Sequence, residues 1–188
     1  MAVKTDMSKA YNRIEWEFIR LVMEKMSFHQ KWVEWIMQCI TSVSYSFLLN
    51  GAAQGSVKPQ RGIRQGDPLS PYIFILCSEV LSGLCQKAQQ NGDLLGVRVA
   101  KGSPRLKHLL FADDTMFFCK FDVQSCQNLM LILQKYERAS GVCYYIFNQD
   151  TRNNKRTSNA SSRHSTGGRF RQVSWITWAV WQKEEGYV

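Results

Sequence analysis

No stretch of the 188 residues is apolar for long enough to cross a bilayer. The longest, residues 69–84, is interrupted by Ser70, Ser78 and Glu79, whereas a spanning helix needs about 20 predominantly apolar residues. No transmembrane segment is expected. No apolar h-region follows Lys4 at the start, so no secretory leader is expected either. Six cysteines are scattered without the spacing of metal ligands, and they read as reduced, mostly buried, intracellular thiols. There is no internal repeat. Negative charge is also short: 15 acidic residues face 24 basic ones, a net charge of +9, which suits a polyanionic partner such as nucleic acid and also many plain soluble proteins. The excess is uneven. Residues 1–149 carry 17 basic and 12 acidic side chains, while 150–188 carry 7 and 3 together with half of the six tryptophans.

What is present is an ordinary globular composition, 45% hydrophobic and 21% charged, in a length that suits one domain. Residues 2–6 have strand character. Apolar residues then recur at helical spacing over 15–26 (Phe18, Ile19, Val22, Met23) and 31–40 (Trp32, Val33, Ile36), which predicts two helices. A strand is expected over 45–50, a Gly/Pro/Arg-rich loop over 54–66, and a long apolar helix over 68–90 that stops at Asn91-Gly92-Asp93. A short strand over 96–100 and a turn at 101–104 precede a hairpin over 106–120, folded at Asp113-Asp114. A helix over 123–140 ends at Gly141. This order predicts an α+β fold whose sheet is covered by helices on one face.

The pair Asp113-Asp114 sits in "LLFADDTMFF", between two apolar runs. Two adjacent carboxylates at a hairpin tip are commonly a solvated turn. They also suit nucleotidyl transfer with two metals, which needs carboxylates converging on ions about 4 Å apart. Asp6, ending the first apolar run, is the candidate third carboxylate.

The segments "KTDMSKAYNRIEWEF" (residues 4–18), "QRGIRQGDPLSPYIF" (60–74) and "HLLFADDTMFF" (108–118) resemble, in order, spacing and context, three consecutive motifs of the reverse transcriptases of plant LINE-type non-LTR retrotransposons. The resemblance covers residues 2–141. It implies a polymerase palm, a ferredoxin-like sheet with helices on one face, whose activity is RNA-directed DNA polymerisation. The implied cofactors are two Mg²⁺ ions, or Mn²⁺. The implied partners are an RNA template, a DNA primer and a dNTP, with no membrane and with the nucleus as the expected compartment.

Residue by residue, the resemblance makes Asp6, Asp113 and Asp114 the catalytic carboxylates and metal ligands, with Met7 contributing its backbone carbonyl. Asp113 is the firmer ligand, and Asp114 is expected mainly to shape the turn. Tyr11 falls where the family places an aromatic that excludes a ribose 2′-hydroxyl, the alternative being packing at a strand-to-helix corner. Gln65 and Gly66 belong to the loop that lies against the incoming nucleotide and template base. Arg61 and Arg64 are expected to meet triphosphate or template backbone, unless they are simply solvated. Asp67 reads as a helix cap with Pro68 at N1, and His108 as a packing residue.

The sequence also departs from the family. Asn12 stands where the plant-like motif has Asp. The chain opens just before the first motif, so the basic fingers segment is not expected in it, and no thumb is expected either. After Gly141 the family's Asn, its proton-donating Lys, its Tyr-Leu-Gly-Leu-Pro strand and its Gly-Arg-x-Lys cluster are missing. Read one nucleotide forward, the codons of 173–188 must give Gly at Trp175, Trp178 and Trp181 and Lys or Arg at each of 182–185. The expected division is therefore a palm over 1–141 and a tail over 142–188 that is out of frame from somewhere in 142–147. That tail is Ser/Asn/Arg/Thr-rich and expected to be disordered. Activity of the chain as it stands is expected to be weak or absent, and the competing reading is a non-catalytic nucleic-acid-binding remnant of a degenerate retroelement.

Overall fold

The computed structural model describes residues 1–147, and the expectations for 148–188 lie outside the described residues. The elements run β1 (Ala2–Ser8), α1 (Ala10–Arg13), α2 (Trp16–Lys25), α3 (Gln30–Thr41), β2 (Tyr45–Leu49), β3 (Ala52–Val57), α4 (Ser70–Gln90), β4 (Val97–Arg98), β5 (Arg105–Leu106), β6 (His108–Phe111), β7 (Asp114–Phe118), α5 (Val123–Ser140) and β8 (Cys143–Phe147). The expected mixture of helix and sheet is found. The described residues divide into two compact units, one of Met1–Asp6, Lys87–Met130 and residues 144–147, the other of Met7–Gln86 and Leu131–Cys143.

The first unit is built on a four-stranded sheet in the order β6-β7-β1-β8. Strands alternate their side chains between faces, and β1 does so strictly: Val3, Thr5 and Met7 are buried while Lys4, Asp6 and Ser8 are only half-buried. Strand β7 repeats this, with Thr115 and Phe117 buried and Asp114, Met116 and Phe118 half-buried. Antiparallel pairing sets Val3 against Phe117 and Thr5 against Thr115 on the buried face. There the Thr5 hydroxyl donates to the Thr115 carbonyl at 3.3 Å. Leu94, Cys119 and Leu129 are buried in the same unit.

The second unit carries the amphipathic helices. In α2 the buried residues Phe18, Ile19, Val22 and Met23 form one stripe, and in α3 Val33, Ile36, Met37 and Ile40 form another, the spacing of a helix with one face in the core. Tyr136 is fully buried. Its ring meets Phe18 edge-on at 5.8 Å and its hydroxyl donates to the Cys77 carbonyl at 3.2 Å. The loop ahead of α4 is tied to the chain after β1 by Gly62 N–H to Ile14 C=O at 2.8 Å, Ile63 N–H to Tyr11 C=O at 2.7 Å, and the Trp16 indole N–H to Gly62 C=O at 2.7 Å. Gly62 has φ +87°, and a Cβ there would lie 2.8 Å from the Asn12 carbonyl oxygen. Only glycine fits.

Several expectations need correction. Residues 54–66 are not loop throughout, because Ala52–Val57 is a strand paired with β2. Its Ala-Ala-Gln-Gly-Ser sequence has little β-propensity, but Asn50-Gly51, with φ +50° and +80°, is the two-residue turn that directs a hairpin. An extra residue in β3 near Gly55 (φ +69°) shifts the register between Tyr45 and Phe47, a bulge. The strand expected over 96–100 shrinks to Val97–Arg98, paired with Arg105–Leu106. The hairpin of β6 and β7 folds one residue earlier than expected. Phe111 pairs with Asp114, so Ala112 and Asp113 make the turn and Asp114 is a strand residue. Strand β8 was not expected from the sequence, and it lies in the stretch where the loss of frame was placed. Of the six cysteines, Cys77, Cys85, Cys119 and Cys126 are buried, and burial pushes the Cys77 thiol up to about 12, a poor nucleophile.

Candidate functional site

Register places two of the three expected carboxylates. Asp6 and Asp114 are directly opposed in the β1–β7 ladder, and both point to the half-buried face because Thr5 and Thr115 take the buried one. Directly opposed like charges on one sheet face repel. Asp113 is exposed at the turn between β6 and β7. The preceding residue, Ala112, has φ +52°, a left-handed conformation that costs a non-glycine residue about 1–2 kcal/mol. Phe111, paired with Asp114, is 81% exposed.

The electrostatics follow from this crowding. The Asp6 carboxyl is held above its ordinary value of 3.8, first by burial, then by the fields of Asp113 and Asp114, while Lys4 pulls the other way. The net direction is upward, so burial and the two like charges outweigh the lysine. Lys4 lies two residues before Asp6, hence on the same face of β1. Its Nζ is 3.1 Å from Asp114 Oδ1. Period-two reading of "KTD" would have singled out Lys4, but the motif draws attention to the acids alone.

Carboxylate oxygens are the donors a hard divalent cation prefers, and Asp6, set against Asp114 beside the turn that carries Asp113, lies on a face short of positive charge. The chemistry of the donors fits Mg²⁺ or Mn²⁺. Among the described residues no three His, Cys, Asp or Glu side chains are grouped so as to hold a metal ion, so binding would have to draw these carboxylates together. Met7 follows Asp6 with its side chain buried, 1% exposed.

The remaining expected residues lie in the second unit. Tyr11, on α1, is half-buried, and its ring stacks on Phe74 with centroids 5.1 Å apart and planes 19° from parallel. Gln65 and Gly66 are exposed. Gly66 has φ +84°, yet a Cβ there would meet nothing within 4 Å: the conformation asks for glycine, the surroundings do not. The Arg61 guanidinium is 3.3 Å from Glu15 Oε1, and Arg64 is exposed. Asp67 Oδ1 accepts from the Leu69 N–H at 2.8 Å and the Asp67 carbonyl from Ser70 N–H at 3.2 Å, the capping behaviour expected of it. The half-buried His108 ring lies 6.3 Å from Phe117 in the first unit. Among the described residues no helix is long and apolar enough to cross a membrane.

The family profile described as reverse transcriptase (RNA-dependent DNA polymerase) matches residues 1–144. An uncharacterized mitochondrial protein of Arabidopsis thaliana is 70% identical over 69 residues, covering 37% of this chain and 57% of that protein. A retrovirus-related Pol polyprotein from a type-1 retrotransposable element of Popillia japonica is 25% identical over 122 residues, 64% of this chain and 19% of the polyprotein. The chain thus matches less than two thirds of the length of either relative. Among solved structures, apo telomerase from Candida tropicalis, truncated from its C-terminal domain, superposes with a TM-score of 0.55 at 18% identity. It covers 79% of this chain and 30% of that one, a likeness of fold.

Proposed function

Since the chain belongs to the reverse transcriptase family, we propose that its described residues form the palm of an RNA-directed DNA polymerase of the non-LTR retrotransposon type. The observation that carries this reading is the opposition of Asp6 and Asp114 in the ladder, beside the turn that carries Asp113. An RNA template, a DNA primer and a dNTP are the proposed partners. In the reaction the primer 3′-oxygen bonds to the α-phosphorus of the dNTP and pyrophosphate departs.

Asp6, Asp113 and Asp114, with the Met7 carbonyl, are the proposed holders of two Mg²⁺ ions. Bound there, such ions would activate the attacking oxygen and stabilise the leaving one. The chain's own contribution is to present Asp6 and Asp114 from two paired strands, with Asp113 on the adjoining turn. Tyr11, Gln65 and Gly66 are proposed for the nucleotide, with the Tyr11 ring braced by Phe74. Arg61 and Arg64 are proposed for phosphate, and Arg61 would have to leave Glu15 to reach it.

The test is primer extension on an RNA template with Mg²⁺ or Mn²⁺, comparing the parent with the Asp113→Ala, Asp114→Ala double variant. Extension by the parent that the double variant loses supports polymerisation. Equal background in both, with retained binding of the template–primer, would favour the non-catalytic remnant. The nucleus is the proposed compartment, and imaging of the tagged chain would separate it from the mitochondrion that the Arabidopsis relative's name mentions.

A further inference from the structure

We propose that Lys4 is a positioning residue: its ammonium stands in for a divalent cation on the open face of the sheet, holding Asp114 until a metal ion displaces it. The inference rests on the reading of Asp6, Asp113 and Asp114 as a metal site, and it adds a residue and a mode of regulation to that site.

Three observations carry it. Lys4 faces the same way as Asp6 by strand alternation. In the ladder Lys4 is opposed to Met116 and Asp6 to Asp114, so Lys4 reaches Asp114 diagonally, the reach a long side chain has across two strands. It does reach it, at 3.1 Å from Oδ1. Two carboxylates set directly against each other need a positive charge, and this lysine supplies it from within the sheet. The ammonium engages Asp114 Oδ1, so an ion that draws on that oxygen must displace it, while Asp6 and Asp113 remain to receive the first cation. That accords with the absence of a closed three-carboxylate group among the described residues.

A merely structural surface ion pair would contribute little and would not be coupled to metal. A cation stand-in makes two coupled demands. Without Lys4 the metal-free protein should be less stable at low ionic strength, and it should bind a divalent ion more tightly because the competing ammonium is gone. Lys4→Arg should keep the parent's behaviour on both counts.

The experiment uses the full chain and reads free Mn²⁺ by electron paramagnetic resonance, alongside thermal melting in chelator and in Mg²⁺, for the parent, Lys4→Met, Lys4→Gln, Lys4→Arg and Asp113→Ala. The expected result is that Lys4→Met and Lys4→Gln bind Mn²⁺ about three- to fivefold more tightly, the scale of an exposed ion pair. Both should melt lower than the parent in chelator and gain more from Mg²⁺ than the parent does, while Lys4→Arg overlays the parent. Parent binding that is lost in Asp113→Ala but unchanged or weakened in Lys4→Met would overturn the role of Lys4 and leave the metal site standing. Parent binding that is absent, or unaffected by Asp113→Ala, would overturn the metal site and this inference with it.

Discussion

Asp6 stands directly opposite Asp114 in the antiparallel ladder of β1 and β7, two carboxylates where a sheet ordinarily pairs opposite charges or apolar groups. The upward displacement of the Asp6 carboxyl shows that burial and the two neighbouring acids outweigh Lys4. The opposed pair is therefore a destabilising arrangement, of the kind that functional sites commonly tolerate. Asp6→Asn should raise stability in chelator by about 0.2–1 kcal/mol, the range of a cross-strand pair, while abolishing any primer extension. Chemical denaturation of the two proteins measures the first and an extension assay the second. A clear loss of stability would mean that Asp6 makes net favourable contacts and that the acidic face is not strained.

A second cost sits one residue before Asp113. Ala112 adopts φ +52° at the first turn position, where a tight hairpin with this pattern ordinarily has glycine. Left-handed strain of about 1–2 kcal/mol exceeds the roughly 0.4–1 kcal/mol that glycine loses through a freer unfolded chain. Ala112→Gly should thus stabilise by up to about 1 kcal/mol. Ala112→Val, β-branched at the same φ, should destabilise by more than that. Equal melting of all three would show the turn to be relaxed.

Helix α5 offers a pH-dependent term. Asp122 precedes it and accepts the Ser125 N–H on Oδ1 at 2.7 Å, with Lys120 Nζ 3.5 Å from Oδ2. The Asp122 carboxyl is held below 3.8, chiefly by that backbone hydrogen bond and against some burial; the Ser125 side chain and Lys120 add to the lowering. A carboxyl depressed in the folded state stabilises it above the unfolded value and loses that contribution as pH falls through the folded one. Asp122→Ala should cost about 1 kcal/mol near neutral pH, as loss of a helix cap does, and progressively less below pH 3.8. Denaturation at neutral and acid pH checks this, and a pH-independent difference would remove Asp122 from the cap.

How far the sequence revealed this structure depended on the reach of each cause. Helices α2, α3 and α5 were legible because their stripes, such as Phe18, Ile19, Val22 and Met23, are local patterns. Strand β1 and its terminal acid were legible for the same reason. Strand β3 was not, because Ala52–Val57 owes its conformation to the Asn50-Gly51 turn and to β2 rather than to its own residues. Strand β8, Cys-Tyr-Tyr-Ile-Phe, is rich in strand formers, but it directly adjoins a polar stretch whose composition argues against order, and no local signal divides the two. The acids of the candidate site could be named from their motif. Which of them face each other, and that Lys4 reaches Asp114 diagonally, is a matter of register between segments more than a hundred residues apart, and no local pattern encodes that. The turn shifted by one residue because Asp114 was needed as the ladder partner of both Phe111 and Asp6.

The last prediction concerns sugar selectivity. The Tyr11 ring lies nearly parallel to Phe74 at 5.1 Å, a rigid wall rather than a loose side chain, which is what steric exclusion of a 2′-hydroxyl requires. A contact that merely blocks one added group is worth about 1–3 kcal/mol of discrimination. Tyr11→Ala should therefore lower the preference for dNTP over rNTP at least about tenfold, and Tyr11→Phe, which keeps the ring, should not. Losing the stacked pair should also cost stability, of the order of 0.5–1.5 kcal/mol beyond the lost area, so melting must be followed in parallel at a temperature where both variants are folded. If Tyr11→Ala extends more slowly with both sugars but keeps their ratio, the ring acts only as packing between α1 and α4, and selectivity has to be sought in another residue.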